Sequence, residues 1–354
     1  METKETAQEL LDLMILPGFT VKNKKILNVN DAARRLFITP GMEVLPLLTT
    51  GQEEYEAFES GCLYLTIQLA GESQGVTVTR MEDMDVFLAD EQNELRELQV
   101  LSLAAQELRM PLSNVILSAD QLSSLQETQE GKDSAARLNR GAAQLQRLIC
   151  NMSDALRYAK GGKLQTRNLT ALVTEITEKA ALLSEAAGLT LRFQKPKEDI
   201  FTLLDAEQLE RALYNLISNS LKFTPKGGTI DVKLTRSGKR ILLTVQDTGS
   251  GIGDGILKSI FSRYLRTPSL EDSRFGLGLG LIMVRAAAAT HGGTVLIDRL
   301  EQGTKVTMTL ALRENPGNML RSPLLTVDYA GERDHGLLEL SDALPYVLYL
   351  PEEK

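Results

Sequence analysis

Residues 205–228 read DAEQLERALYNLISNSLKFTPKGG, and this stretch decides how the C-terminal half of the chain is read. Asp205 is a good N-cap for the helix that follows. Asn215 and Asn219 then fall one turn apart on the same helix face. A side-chain amide oxygen is a hard, neutral ligand suited to Mg²⁺, an ion that keeps several waters and binds through few protein groups plus phosphates. On its own N-x-x-x-N is an ordinary solvated helix face; the Lys222-Phe223-Thr224-Pro225 that follows sets this one apart.

Three further motifs lie downstream. QDTGSGIG (246–253) ends an apolar strand, IFSRYLR spans 260–266, and FGLGLGLIMVRAAAATHGG (275–293) carries Gly276, Gly278 and Gly280 into a helix. Unhindered amides at a helix N-terminus make an anion site suited to phosphates. The strand candidates are LTLRF, TIDVKLT, KRILLTVQD, TVLID and TKVTMTLAL. Helices and strands come in runs rather than in strict alternation, which predicts an α/β sandwich on a mixed sheet over 165–313.

In this order the four motifs resemble those of the GHKL ATP-binding domain shared by histidine kinases, gyrase and a heat-shock chaperone. The resemblance implies ATP and Mg²⁺ as cofactors. It assigns Asn219 to the metal, Lys222 to the phosphates, and Asp247 to the exocyclic amine of adenine. Gly249 and Gly251 let the backbone approach the base, Ile252 packs on it, Arg263 reaches toward the γ-phosphate, and Gly276, Gly278 and Gly280 cradle the phosphates. Members that hydrolyse ATP carry a Glu one turn before the metal-binding Asn. Here that residue is Asn215, which cannot take a proton, so the resemblance implies a phosphotransferase rather than an ATPase.

Upstream, residues 91–161 predict an antiparallel helical hairpin. Leu98, Leu101, Ala105, Leu108, Leu112, Val115, Ala119 and Leu122 recur at spacings of three and four, the seam of a coiled coil or bundle. Leu138, Ala142, Leu145, Ile149, Met152, Leu156 and Ala159 repeat it, with the polar ETQEGKDS as the turn between and Gly161-Gly162 as the stop. Two such helices cannot bury their stripes alone, so a dimeric four-helix bundle is expected, as a homodimer or a heterodimer.

The first arm contains AAQELRMPLSNV (104–115). It resembles the phosphoacceptor motif of two-component sensor histidine kinases, close to S-H-E-L-R-T-P-L. Glu107, Leu108, Arg109, Pro111 and Leu112 match, but the acceptor position is Gln106. A Gln amide nitrogen has its lone pair delocalised into the carbonyl and is a donor, not a nucleophile. Neutral imidazole keeps an in-plane lone pair that can attack a phosphoryl group. The resemblance makes Glu107 the base for an absent histidine. It puts Met110 where a Thr or Asn assists dephosphorylation of a response regulator. Pro111, inside the helix, removes one backbone bond at a cost of ~3 kcal/mol.

Residues 10–90 predict a small mixed domain. PGFTVKNKKILNVNDAARRLF (17–37) reads as strand, turn, strand and a helix capped by Asn30 or Asp31, and GVTVTRMEDMDVFLAD (75–90) supplies later strands. This is similar to the opening of PAS sensor domains. The tail, 314–354, mixes prolines with the apolar PLLTVDY, HGLLEL and ALPYVLYL. It is too hydrophobic for simple disorder and is expected to dock on a domain face.

The fold class is therefore α+β: a PAS-like domain, a two-helix hairpin, and a GHKL sandwich. A net charge of -8 disfavours nonspecific binding to nucleic acid or to an anionic membrane. No run approaches the ~18–20 apolar residues of a spanning helix, and METKETAQEL is unlike a signal peptide; a cytoplasmic location is expected. Cys62 and Cys150 are far apart and form no metal pattern. The two histidines, His291 and His335, fall outside the bundle helices; the first is read as structural and the second as a surface residue. The leading reading is an ATP-binding member of the family that cannot autophosphorylate at the usual site and acts with a response regulator or a partner kinase. The alternatives are a kinase working in trans on a partner's histidine and a non-catalytic dimeric scaffold.

Overall fold

The structure, a computed structural model, describes residues 16–69, 71–81, 84–89, 94–252, 278–313 and 334–350, with Gln8, Leu11 and Met14. Near the N-terminus β1 (Gly18–Lys22) and β2 (Lys25–Val29) form a hairpin. Its turn residues Asn23 and Lys24 both have positive φ, the backbone sense that matches strand twist in a two-residue connection. Asn30, not Asp31, caps α1 (Asp31–Arg35): its side chain accepts from the Ala33 N–H. After β3 (Leu48–Thr50) and α2 (Gln52–Ala57), β4 (Cys62–Leu69), β5 (Glu72–Arg80) and β6 (Asp85–Ala89) complete an antiparallel array ordered β2-β1-β6-β5-β4. Its core holds Phe19 stacked on Phe87, with Tyr55 edge-on to Phe87.

The hairpin consists of α3 (Glu94–Ser124) and α4 (Gln129–Ala159). The turn is shorter than ETQEGKDS predicted. Thr128 caps α4 by accepting from the Gly131 N–H, so Gln129–Ser134 already belong to the second helix. α3 runs through Pro111 without a break in its assignment. Only alternate members of its seam are covered within one chain. Leu98, Ala105, Leu112 and Ala119, each seven residues apart, are buried, whereas Leu108, Val115 and Leu122 are about half exposed at 48, 47 and 53%. On α4, Leu138 and Leu145 are likewise exposed.

The sandwich is built from β7 (Gln165–Asn168), α5 (Leu169–Ala186), β8 (Thr190–Gln194), β9 (Phe201–Leu204), α6 (Ala206–Phe223), β10 (Thr229–Ser237), β11 (Arg240–Asp247), α7 (Leu279–Thr290), β12 (Val295–Arg299) and β13 (Thr304–Ala311). The larger sheet runs β12-β13-β11-β10-β8, with β8 parallel to β10; β7 and β9 pair separately. α5, α6 and α7 cover the larger sheet through a core of Val173, Ile176, Leu213, Leu216, Ile217, Val284 and Ala287 against Val232, Leu243 and Met308. The short strands β7 and β9, and β4 in the N-terminal region, lie outside the sequence reading.

The two sheets are continuous. β4 pairs antiparallel with β12, aligning Cys62 with Ile297 and Tyr64 with Val295. Gly61 makes this approach possible: a Cβ there would sit 2.0 Å from the Ile297 carbonyl oxygen. Glu54 of α2 adds contacts to Arg240 at 3.2 Å and to the Thr309 hydroxyl at 3.1 Å.

Of the tail, residues 334–350 are described, and they dock in a defined place. α8 (His335–Glu339) and a 3₁₀ turn (Tyr346–Tyr349) lie against α4, α5 and α6. Leu338, Leu340, Leu344 and Tyr349 join the sandwich core. His335 is not a surface residue. Its ring is about one-fifth exposed, with Nδ1 3.0 Å from Glu210 and Nε2 3.6 Å from Glu339, and it meets Tyr214 edge-on.

That environment has a pH consequence. Burial lowers the His335 pKa and Arg211 opposes its charge, but the bond to Glu210 and the charges of Glu339 and Glu210 prevail and raise it above 6.5. A raised folded-state pKa means that the stabilisation is fully present below the unfolded value and is lost as pH rises through the folded one. The stability difference between wild type and His335→Gln is therefore expected to be largest below about pH 6 and to shrink above pH 6.5. Urea titrations across that range check it, and a difference constant with pH would contradict it.

Candidate functional site

Helix α6 and the ends of β11 and β13 position the predicted residues. Asp205 caps α6 by accepting from the Gln208 N–H at 3.1 Å, and its own N–H donates to His291 Nε2 at 2.9 Å. His291 Nδ1 lies 2.6 Å from the Ala287 carbonyl, which fixes the neutral ring with Nδ1 as donor. Burial pushes its pKa below the ordinary value. His291 thus staples the end of α7 to the start of α6, the structural role expected of it.

Asp247, at the end of β11, is 6% exposed. Its Oδ1 accepts from the Gly249 N–H at 2.9 Å and the Thr304 N–H at 3.1 Å. Its Oδ2 accepts from Ser220 Oγ, on α6, at 3.1 Å. Burial raises the carboxyl above the usual carboxylate range, and the three donors oppose that. Gly303 packs directly over the strand end, since a Cβ there would fall 1.8 Å from the Asp247 carbonyl oxygen. Gly251 has positive φ, and Ile252 packs against the sandwich core. So Asp247, Gly249, Gly251 and Ile252 stand together beside Gly303-Thr304.

Asn219 lies one turn before the end of α6, half-buried, and no hydrogen bond joins its amide to another described residue. An amide with free lone pairs on its oxygen, next to a lysine and a carboxylate-anchored loop, fits a divalent cation whose remaining ligands are water and phosphate. Among the described residues no group of three His, Cys, Asp or Glu is arranged for a metal, so a cation here would depend on such shared ligands.

Asn215 is placed differently from Asn219. It is buried against the hairpin, where its Oδ1 accepts from Arg147 Nη2 of α4 at 3.2 Å and its Nδ2 donates to the Arg211 carbonyl at 2.9 Å. Gly280 of α7 packs on the same side chain, where a Cβ would lie 3.0 Å from Asn215 Oδ1. Gly278, in the left-handed conformation, caps α7. Gly276 and Arg263 lie outside the described residues. Lys222 is occupied: its Nζ binds Asp342 Oδ2 of the C-terminal segment at 2.9 Å.

Gln106 and Glu107 sit on α3, both exposed. The hairpin and the sandwich meet next to them: Leu279, Ile282 and Met283 of α7 share a core with Leu98, Ala105, Leu112, Ile149 and Met152. Sequence reasoning missed the charged residues at this junction. Arg147, Arg211 and Glu339 are all at least 95% buried. Arg211 binds Glu339 and lies 3.1 Å from Asp154, while Arg147 is 3.7 Å from Glu339 and 2.7 Å from Asp342. A signal was present on α4, where Asn139, Ala143, Arg147, Asn151 and Ala155 recur every four residues. Polar groups on a buried stripe require partners.

Residues 204–314 match the family described as histidine kinase-, DNA gyrase B- and HSP90-like ATPase. The hybrid signal transduction histidine kinase D of Dictyostelium discoideum is 29% identical over 69% of this chain and 17% of its own length. The adaptive-response sensory kinase SasA of Synechococcus sp. (strain JA-2-3B'a(2-13)) is 29% identical over 65% of each chain. The crystal structure of full-length ShkA in complex with AMPPNP is similar in fold, with a TM-score of 0.50 and 24% identity over 62% of this chain and 47% of that one. The chain therefore spans less than two thirds of these relatives. Residues 204–314 therefore carry a domain of the histidine kinase-, DNA gyrase B- and HSP90-like ATPase family, and the chain, with a helical hairpin in front of that sandwich, is similar to sensor histidine kinases.

Proposed function

We propose that the chain binds MgATP in the sandwich and takes part in two-component signalling without phosphorylating itself at the usual position of the hairpin. The observation that carries the nucleotide reading is the buried Asp247 carboxylate, held by Gly249, Thr304 and Ser220 at the end of β11. A carboxylate there accepts from the exocyclic amine of adenine and repels the carbonyl of guanine. Asn219 would hold Mg²⁺, Lys222 would bind phosphate oxygens, and the amides at the start of α7 would add anion contacts. The bound nucleotide supplies a transferable phosphoryl group; what this chain lacks is a nucleophile at 106.

The exposed apolar positions Leu108, Val115, Leu122, Leu138 and Leu145 support pairing of the hairpin with a second copy into a four-helix bundle. The antiparallel array β2-β1-β6-β5-β4, with α1 and α2 on the connection between β2 and β4, supports a PAS-like sensor domain. A response regulator or a histidine-bearing kinase is the partner class this reading favours. No helix among the described residues is long and apolar enough to cross a membrane.

The test is a melting experiment with and without MgATP. At 100 times the dissociation constant the nucleotide stabilises wild type by ~2.7 kcal/mol. Asp247→Asn keeps an oxygen for the Gly249 and Thr304 amides but brings a donor against the adenine amine. It is expected to melt near wild type without nucleotide and to gain little from it. A wild-type transition that does not move with excess MgATP would contradict the reading.

A further inference from the structure

The C-terminal segment reaches the same lysine that the nucleotide would use. Asp342 Oδ2 lies 2.9 Å from Lys222 Nζ and 2.7 Å from Arg147 Nη1. Arg147 in turn donates to Ser218 Oγ at 3.1 Å and to Asn215 Oδ1 at 3.2 Å, both on α6. The segment is anchored on either side of Asp342. Arg140 donates to the Ser341 and Asp342 carbonyls, Gln144 donates to the Ser341 carbonyl, and Asn139 Nδ2 donates to the Tyr349 carbonyl at 3.3 Å. Arg137 lies over the Tyr346 ring at 4.8 Å. The segment thus binds the second hairpin helix between Arg137 and Arg147 and presents one carboxylate to the end of α6.

We propose that residues 334–350 form an intramolecular clasp that competes with nucleotide phosphate for Lys222, so that MgATP binding and release of the Asp342 end of the clasp are coupled. The proposal rests on the nucleotide reading above. A carboxylate oxygen and a phosphate oxygen make the same charge-assisted bond to an ammonium. One Lys222 cannot serve both with full strength. Affinity for the nucleotide is then reduced by the fraction of molecules in which Lys222 is free. Linkage is reciprocal, so nucleotide loosens the segment by the same factor. Only the contact at Lys222 is exchanged; the apolar anchors Leu338, Leu340 and Leu344 stay in the core.

The experiment is calorimetric titration of the full chain with MgATP, for wild type, Asp342→Asn, Lys222→Met and the double variant. Asp342 is about one-third exposed, so its neutral isostere is compatible with folding, which circular dichroism checks. Asp342→Asn is expected to bind roughly 1.5- to fivefold more tightly, the range of a partly exposed charge pair. In the Lys222→Met background the same substitution is expected to change nothing. Amide exchange of 341–343 should rise on adding MgATP to wild type. Equal affinities for wild type and Asp342→Asn, or a gain that persists without Lys222, would overturn the clasp and leave nucleotide binding intact. No heat or saturation in any variant would overturn the nucleotide reading and the clasp with it.

Discussion

Replacing Glu339 with alanine is expected to cost about 3–5 kcal/mol of stability, the range seen when one partner of a buried ion pair is removed. Glu339 is fully buried and meets two guanidinium groups, Arg211 at 1% and Arg147 at 5% side-chain exposure. Burial alone would lower the pKa of Arg211, yet the charges of Glu339 and Asp154 hold it above the ordinary arginine value. Taking the carboxylate away leaves Arg211 with Asn151 and Asp154, and Arg147 with Asp342, Ser218 and Asn215. Both guanidinium groups are buried where they stand, at 1% and 5% side-chain exposure. The magnitude follows from leaving two buried guanidinium groups with only the more exposed carboxylates of Asp154 and Asp342, rather than from the bond itself. Hence the double variant Arg211→Met/Glu339→Leu, which removes both charges and keeps the volume, is expected to recover part of the loss. Urea titration followed by far-UV circular dichroism measures all three; a loss below about 1 kcal/mol for Glu339→Ala would mean that water reaches the pair.

This junction also marks where sequence stops being informative. The nucleotide motifs were legible because each concentrates chemistry within a few residues: an Asn-x-x-x-Asn on one helix face, an Asp ending an apolar strand, glycines before a helix. The hairpin was legible from its period, and its burial sorts into two registers, with Leu98, Ala105 and Leu112 inward and Leu108, Val115 and Leu122 outward. Glu339, in contrast, reads locally as an ordinary acid in HGLLEL. Its partners lie 128 residues away at Arg211 and further still at Arg147, and no local pattern encodes such pairings. His335 was misread for the same reason, since the carboxylate of Glu210 that holds it is 125 residues distant. β7 and β9 escaped because four residues each are too few to show alternation. The sharing of one sheet by β4 and β12 depends on an edge-to-edge fit that hydropathy does not record.

The second large effect is chemical. Gln106 is exposed on α3, followed by Glu107, on the helix whose inward face shares an apolar core with α4 and α7. An amide cannot attack a phosphoryl group, whereas a neutral imidazole at the same position can, with Glu107 at hand to orient it. Neither histidine in the chain substitutes for it. His291 is locked between Asp205 and Ala287, and His335 is enclosed by Glu210, Glu339 and Tyr214.

Phosphate transfer from labelled nucleotide distinguishes a nucleotide site without an acceptor from one that keeps an acceptor. Wild type and Gln106→His are incubated with γ-labelled MgATP, and base-stable, acid-labile phosphate on the protein is counted. Label is expected on Gln106→His and none on wild type. Base-stable label on wild type would contradict it, because the chain would then hold a working acceptor that residue 106 does not supply.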